Sequence, residues 1–233
     1  MKDLHFLNDE HFNAFLTNTK YLASGSEGEC YKLVDNTVLK YLNGPCYEEK
    51  SKEELLQFKN IAIPNFIFVK NLVYIRDRIV GVLMQYVVGK SVYNGLQQIK
   101  ILNLIKAFDD LIKATKNLSE QGIRVDDTAT SNMIYNKNRF YLIDTINYKK
   151  ESNPSQIFKS NMHDLSLNLY ESILNREILQ FMKTIPEIKD FNLDSNLLIN
   201  PSYVLNVLLN KLNEYFGYEI KNIKEASKKL NKC

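Results

Sequence analysis

Apolar and polar positions in the first ninety residues follow mostly the pattern typical of β-strands. The stretch "EGECYKLVDNTVLKYL" has two β-rich runs on either side of "VDNT", which predicts a hairpin turn. Later, "IPNFIFVKNLVYIRDRIVGVLMQYV" is rich in β-branched and aromatic residues, and "RDR" predicts a second turn. Between these stretches, "EEKSKEELLQFKNI" has apolar residues at helical spacing. We therefore expect an antiparallel sheet of about five strands with one helix.

From about residue 90 the apolar spacing becomes helical. The stretch "LQQIKILNLIKAFDDLIKATKNLSEQG" repeats apolar residues three and four positions apart, and Gly122 predicts its C-terminal end. A strand-like interlude, "MIYNKNRFYLIDTINY", has a turn at "NKN", and helices are expected again from Asp164 onward. The pattern predicts an α+β fold with a β-rich lobe, residues 1–88, and a mainly helical lobe, residues 89–233.

Composition, charge and the length of the apolar runs argue against a disordered chain, a nucleic-acid-binding protein and a membrane-spanning protein. The 233 residues are 45% hydrophobic and 24% charged, as in ordinary globular domains. The net charge of +3 is small and the lysines are dispersed, so we expect no nucleic-acid partner. We also expect no membrane partner, because no apolar run approaches the roughly 20 residues of a membrane span. The chain is predicted to be cytoplasmic, and the sequence does not exclude its delivery into another cell.

The spacing of its three cysteines, Cys30, Cys46 and Cys233, suggests neither a disulfide framework nor a zinc cluster.

Two stretches carry candidate chemistry. In "LASGSEGECYKL", the glycines suit a hairpin turn as well as a backbone loop that holds phosphates. Asp127, Asn132 and Asp144 lie at predicted turn or strand ends, where Asp and Asn are common turn formers. Asp144 directly follows the apolar run "FYLI", so its carboxylate is expected at the end of a buried strand. A buried charge requires a partner such as a cation or a metal ion.

Taken in order, these stretches resemble the motifs of protein kinases and of related bacterial kinase-like proteins. "ASGSEGEC" is similar to the glycine loop G-x-G-x-x-G-x-V, with Gly25 and Gly28 at its second and third glycines and Cys30 at its valine. Lys40 in "TVLK" matches the lysine of V-A-I-K. Glu54 in "EELLQFKNI" matches the glutamate that pairs with this lysine.

The resemblance continues through the second half. "MQYVVGKSV" is similar to the hinge, with Met84 at the back of the adenine pocket and Gln85 to Val87 as the hinge strand. "GIRVDDTATSNMIY" resembles the catalytic loop H-R-D-L-x-x-x-N, with Asp127 as its aspartate and Asn132 as its asparagine.

Two further motifs complete the series. Asp144 in "LIDT" matches the aspartate of D-F-G. "HDLSLNLYESIL" resembles the helix whose aspartate, here Asp164, braces the catalytic loop, a role compatible with a helix N-cap. The resemblance covers roughly residues 20 to 174. It implies a bilobal protein-kinase-like fold with ATP and Mg²⁺ as cofactors.

The resemblance also implies a role for each matched residue. The backbone of the glycine loop would cover the nucleotide phosphates; its residues are Ser24, Gly25, Ser26, Glu27 and Gly28. Lys40 would hold the α- and β-phosphates and would be oriented by Glu54. Asn132 and Asp144 would ligate Mg²⁺, which prefers oxygen ligands. Asp127 would accept or orient the proton of the acceptor hydroxyl.

The chain also departs from the family pattern. Ala23 replaces the first glycine, and Glu27 brings a negative charge near the phosphates unless it points away or pairs with a lysine. The other departures are Val125 and Asp126 in place of H-R, Ala129 in place of a lysine, and Thr145 and Ile146 in place of F-G. Since the segment after Asp144 is short and lacks A-P-E, we predict activity without activation-loop phosphorylation.

These residues favour a compact Ser/Thr protein kinase, with three alternatives. A small-molecule phosphotransferase, similar to the aminoglycoside and choline kinases, shares Asp-x4-Asn and a later aspartate and also lacks a long activation segment. A nucleotide-binding pseudokinase is disfavoured because Lys40, Asp127, Asn132 and Asp144 are all present. Transfer of AMP or another group is a further possibility. The acceptor, a protein or a small molecule, is not specified by the sequence.

Overall fold

The β-rich runs of the first ninety residues form one mixed sheet. The computed structural model describes residues 2–42, 50–189 and 200–232, and its fold is α+β. Within these ranges the sheet has six strands, in the order β1-β5-β6-β4-β3-β2. They are β1 (Leu4–Phe6), β2 (Lys20–Gly25), β3 (Gly28–Lys32), β4 (Thr37–Leu42), β5 (Asn71–Ile75) and β6 (Arg78–Gln85).

The turns predicted at "VDNT" and "RDR" are confirmed. β3 pairs antiparallel with β4, and β5 pairs antiparallel with β6. Asn36 and Arg76 adopt positive φ in these turns, +59° and +55°. The expectation of a wholly antiparallel five-stranded sheet is wrong at one edge, because β1 pairs parallel with β5. A strand of three residues is too short to show an alternation of apolar and polar residues. Its pairing with β5 depends on contacts between residues distant in the sequence.

A short helix that the apolar pattern did not predict covers this sheet. Helix α1 (Asp9–Thr17) begins after Asn8, whose side chain accepts from the backbone N–H of His11. Phe12 is 1% exposed and packs with the buried sheet residues Leu39, Val73, Ile75, Val80 and Leu83. The signal available in the sequence was the N-cap, since Asn followed by Asp-Glu commonly begins a helix.

The helix predicted in "EEKSKEELLQFKNI" is confirmed only in part. Helix α2 spans Lys52–Leu56 and begins with a capping box, in which Ser51 and Glu54 exchange hydrogen bonds with each other's backbone N–H. The first two residues of the predicted stretch, Glu48 and Glu49, lie outside the described residues.

The later part of the described chain is mainly helical. Its helices are α3 (Ile101–Glu120), α4 (Pro154–Ile173), α5 (Arg176–Met182), α6 (Pro201–Phe216) and α7 (Ile223–Leu230). As predicted, α3 ends just before Gly122, which has a φ of +69°. Helix α4 begins at Pro154, capped by Asn153, so Asp164 lies inside it and not at its start. The helix N-cap considered for Asp164 is therefore wrong.

Short strands lie before α3 and between α3 and α4. They are β7 (Lys90–Ser91), β8 (Ile123–Arg124), β9 (Met133–Asn136), β10 (Arg139–Leu142) and β11 (Lys149–Lys150). The predicted turn at "NKN" joins β9 to β10 in an antiparallel pair, and Lys137 and Asn138 have positive φ there. Strand β11 pairs with β8, which ties the segment after Asp144 to the segment before Asp127.

Residues of the described chain group into two compact units. The first lies within Met1–Ala62, Phe66–Val88 and Ile143–Ile146, and the second within Ile63–Asn65, Gly89–Leu142 and Asn147–Cys233. Asp144 therefore belongs to the first unit, whereas the division by sequence placed it in the second lobe. In the second unit, Asn65 donates to Asp110 Oδ2 at 2.9 Å and to the Phe140 carbonyl at 3.0 Å. Such long-range contacts decide which unit a short segment joins.

Candidate functional site

The glycine stretch of "LASGSEGECYKL" forms a tight hairpin. Ser26 and Glu27 form its turn, and Gly25 pairs with Gly28 at the ends of β2 and β3. Gly28 has a φ of +150°, and a Cβ on it would lie 2.0 Å from the Tyr41 carbonyl oxygen. A Cβ on Gly25 would meet nothing within 4 Å. Gly28 is thus required by strand packing, while Gly25 leaves open space beside the backbone at the hairpin end.

This difference predicts very unequal effects on stability for two alanine substitutions. Gly28→Ala should lower the free energy of unfolding by at least about 2 kcal/mol, because the new Cβ is strained and collides with backbone. Gly25→Ala should change it by no more than about 0.5 kcal/mol. Denaturant unfolding of both variants measures the two values, and equal losses would contradict this account of the hairpin.

Lys40 lies on β4 with its ammonium held by two carboxylates. Its Nζ is 2.7 Å from Asp144 Oδ2 and 3.0 Å from Glu27 Oε2. The Lys40 side chain is only 7% exposed. Burial by itself lowers the pKa of Lys40, but attraction and hydrogen bonds to Asp144 and Glu27 outweigh burial and raise it above its usual value. The ammonium is therefore charged at neutral pH and joins the hairpin turn to the Ile143–Ile146 segment of the same unit.

Glu54, the predicted partner of Lys40, makes a different contact. Its carboxylate accepts from the Ser51 backbone N–H at 2.7 Å within the capping box of α2. This hydrogen bond keeps the pKa of Glu54 below its ordinary value. Two carboxylates lie within 3.0 Å of the Lys40 ammonium, that of Asp144 and that of Glu27 at the hairpin tip. Of the two possibilities considered for Glu27, pairing with a lysine is the one observed.

The surroundings of Lys40 contain a second amine and a thiol. Lys50 Nζ donates to the Ile146 carbonyl at 3.3 Å, and burial lowers the pKa of Lys50. Burial raises the pKa of the Cys30 thiol, so the thiol is protonated and less reactive at neutral pH. Cys46 and Cys233 lie outside the described residues.

Thr145, which replaces the Phe of D-F-G, is buried and its hydroxyl donates to the Ile67 carbonyl at 2.9 Å.

The predicted hinge residues differ in exposure. Met84 is buried on β6, opposite Val38 of β4, and Val87 is also buried. Gln85 ends β6 with its side chain exposed. The backbone N–H of the next residue, Tyr86, donates to the Asn36 carbonyl at 2.8 Å, which fixes this strand end to the β3–β4 turn.

In the second unit, the predicted catalytic loop brings Asp127 and Asn132 together. Asn132 Nδ2 donates to Asp127 Oδ2 at 2.8 Å and to the Asp127 carbonyl at 3.3 Å. The φ of Asp127 is +52°, a left-handed conformation that Asp adopts more readily than most residues. Because its amide nitrogen faces Asp127, Asn132 turns its amide oxygen away from that carboxylate.

Asp126 stabilises the same loop from the preceding position. Its Oδ1 accepts from the Asp127 backbone N–H at 3.0 Å, and its Oδ2 lies 3.2 Å from Lys149 Nζ on β11. Where the family pattern has an arginine, this chain therefore has a carboxylate paired with a lysine of its own. The pair is well exposed and contributes at most about 1 kcal/mol.

Asn161 of α4 is a residue that the sequence interpretation missed. It is fully buried, and its Oδ1 accepts from the Val125 backbone N–H at 2.9 Å. Its Nδ2 donates to the Ile123 carbonyl at 3.0 Å and to Ser119 Oγ at 3.1 Å. Asn161 thus holds the segment that leads into Asp127, the bracing role expected of Asp164. The available signal was a polar residue at helical spacing between the apolar Ile157 and Leu165.

No group of three or more His, Cys, Asp or Glu residues that could hold a metal ion occurs in the part of the chain that the structure describes. Among the same residues, no helix combines the length and the apolar character needed to cross a bilayer. Neither a scan against protein-family models nor a search of the curated proteins gave a match to this chain.

Proposed function

We propose that this protein is a compact phosphotransferase of the bilobal protein-kinase type that uses ATP and Mg²⁺, with a protein Ser or Thr hydroxyl as its leading acceptor. The observation that carries the proposal is the buried Lys40–Asp144 contact, 2.7 Å long between residues 104 positions apart. Two motifs recognised separately in the sequence thus meet in space. A buried, charged lysine beside a carboxylate is suited to binding an anion together with a cation.

The residues present fit the cofactors that the resemblance implies. Asn132 presents an amide oxygen and Asp144 a carboxylate, both of the oxygen type that Mg²⁺ prefers. Lys40 supplies a charged ammonium for phosphate oxygens, and Gly25 leaves the hairpin end open beside the backbone. Bound Mg²⁺ would neutralise charge on the transferred phosphoryl group.

The chain's own residues would orient the acceptor and hold the loop. Asp127 would accept a hydrogen bond from the acceptor hydroxyl, and Asn132 fixes its carboxylate. Asn161 positions the backbone before Asp127, and Asp126 with Lys149 ties the loop to β11. Asp126, at the position of the family's arginine, pairs with Lys149 of the same chain, which supports activity without phosphorylation of the segment after Asp144.

A small-molecule acceptor is the second candidate, and one observation favours it. Helix α4 begins at Pro154, so only residues 145–153 separate Asp144 from that helix. Part of this segment is strand β11, which is already paired with β8. Little backbone is then left to bind an extended peptide. Labelled ATP offered with a protein lysate, and separately with a panel of hydroxylated metabolites, distinguishes the two acceptors.

Nucleotide binding is the first testable consequence. At a hundredfold excess over Kd, Mg-ATP should stabilise the protein by about 2.7 kcal/mol, a rise in melting temperature of roughly 5 °C or more. Lys40→Met should lose this shift because the phosphates lose their cation, whereas Lys20→Met, on an exposed position of β2, should keep it. Absence of a shift at millimolar Mg-ATP would refute the phosphate-loop interpretation. A shift without transfer to any acceptor would favour the pseudokinase.

A further inference from the structure

Glu27 connects the tip of the β2–β3 hairpin to the lysine assigned to the nucleotide phosphates. Its Oε2 lies 3.0 Å from Lys40 Nζ, and its side chain is 30% exposed against 7% for Lys40. The neighbouring tip residues Gly25 and Ser26 are exposed. The Glu27 side chain thus links the exposed hairpin turn to the buried Lys40 ammonium.

A carboxylate on this ammonium has the chemistry of a phosphate oxygen. Both are anionic acceptors that bind a lysine through short charge-assisted hydrogen bonds. An ammonium has three N–H donors, and Glu27 and Asp144 each accept from it. A phosphate that approached Lys40 would also be repelled by the Glu27 carboxylate, since like charges at short range are unfavourable where water is partly excluded.

Building on the proposed phosphotransferase function, we propose that Glu27 is a built-in competitor of the nucleotide phosphates. Its carboxylate holds the hairpin to Lys40 through the 3.0 Å contact, and a phosphate group displaces it on binding. In the observed arrangement Glu27 also acts electrostatically on Lys50, so two lysines attract its carboxylate. The glycine hairpin therefore has two positions, one bound to Lys40 through Glu27 and one over a nucleotide.

The test compares a ligand that has phosphates with one that lacks them. Glu27→Gln keeps the size of the side chain but removes its charge, and it should tighten Mg-ATP binding about tenfold, or roughly 1.4 kcal/mol. The affinity for adenosine should stay within about twofold, because adenosine does not require Lys40. Isothermal titration calorimetry of both ligands measures these values. Glu27→Asp, whose shorter side chain reaches less far toward Lys40, should shift ATP affinity in the same direction.

Glu29→Gln is the matched control. Glu29 lies two residues away on β3, and its carboxylate accepts from the Tyr31 hydroxyl. The Glu29→Gln substitution should leave the affinities for Mg-ATP and adenosine unchanged. A melting curve of each variant without ligand verifies that the fold is kept.

The possible outcomes separate this inference from the proposed function. If wild-type protein binds Mg-ATP but Glu27→Gln binds it equally or more weakly, the competitor role is refuted. A lower kcat at unchanged ATP affinity would instead make Glu27 a positioning partner of Lys40, in place of Glu54. If wild-type protein binds no Mg-ATP while remaining folded, the proposed function fails and this inference fails with it.

Discussion

Asp144→Asn is expected to reduce phosphoryl transfer roughly a thousandfold while the protein remains folded. The carboxylate belongs to the Ile143–Ile146 segment of the first unit and lies 2.7 Å from Lys40 Nζ, with its side chain 17% exposed. Asparagine keeps the shape and a hydrogen-bonding oxygen but removes the charge that Mg²⁺ requires. Initial rates at saturating Mg-ATP, measured against an acceptor found for the wild-type protein, give the size of the effect.

The fold should tolerate this change because Lys40 keeps a second carboxylate. Glu27 lies 3.0 Å from the same ammonium, so the lysine is not left as an uncompensated buried charge. We expect a loss of about 1 to 3 kcal/mol in the free energy of unfolding. Asp35→Asn, in the exposed β3–β4 turn, is the control and should alter neither rate nor stability. A variant that unfolds without nucleotide would indicate that Asp144 is a structural ion-pair partner.

Asp127→Asn should lower kcat by about 10²- to 10⁴-fold and leave the affinity for Mg-ATP unchanged. Asn adopts a left-handed φ as readily as Asp, so the backbone φ of +52° at this position is preserved. What is lost is the carboxylate that would accept the hydrogen bond of the acceptor hydroxyl. Steady-state kinetics with a parallel ATP titration separates the two quantities.

The neighbouring carboxylate provides the control for this second prediction. Asp126→Asn removes an exposed ion pair with Lys149 but keeps an oxygen that can accept from the Asp127 backbone N–H. It should cost less than about tenfold in rate, or 1.4 kcal/mol of barrier. Equal losses in the two variants would mean that the loop, and not the Asp127 carboxylate, determines the rate.

Several elements were predictable because their signals are local. The turns at "VDNT" and "NKN" contain Asn residues that tolerate positive φ, and Asn36 and Asn138 adopt it, whereas in "RDR" the positive φ falls on Arg76. The end of α3 before Gly122 depends on one glycine. Helix α1 and the start of α4 at Pro154 also had local signals, in the caps Asn8 and Asn153, which apolar spacing alone does not reveal.

The partners of the charged and polar residues were less predictable. Glu54 was matched to Lys40 by its place in a motif, yet its carboxylate caps α2 and Glu27 lies on the lysine. A local hydrogen bond within the capping box satisfies Glu54 without any distant contact. The hairpin register, set across β2, β3 and β4, carries Glu27 to Lys40. Neither outcome can be obtained from spacing along the chain.

The sequence by itself determined the α+β character, most turns, and which residues carry the candidate chemistry, because propensity and turn geometry act over a few neighbouring residues. Only the tertiary structure decided that β1 pairs parallel with β5, that Ile143–Ile146 joins the first unit, and that Asn161 binds the loop before Asp127. These contacts join residues far apart in the chain. They depend on how sheet register and helix packing bring distant polar groups within hydrogen-bonding distance, where a buried polar group must find its partner.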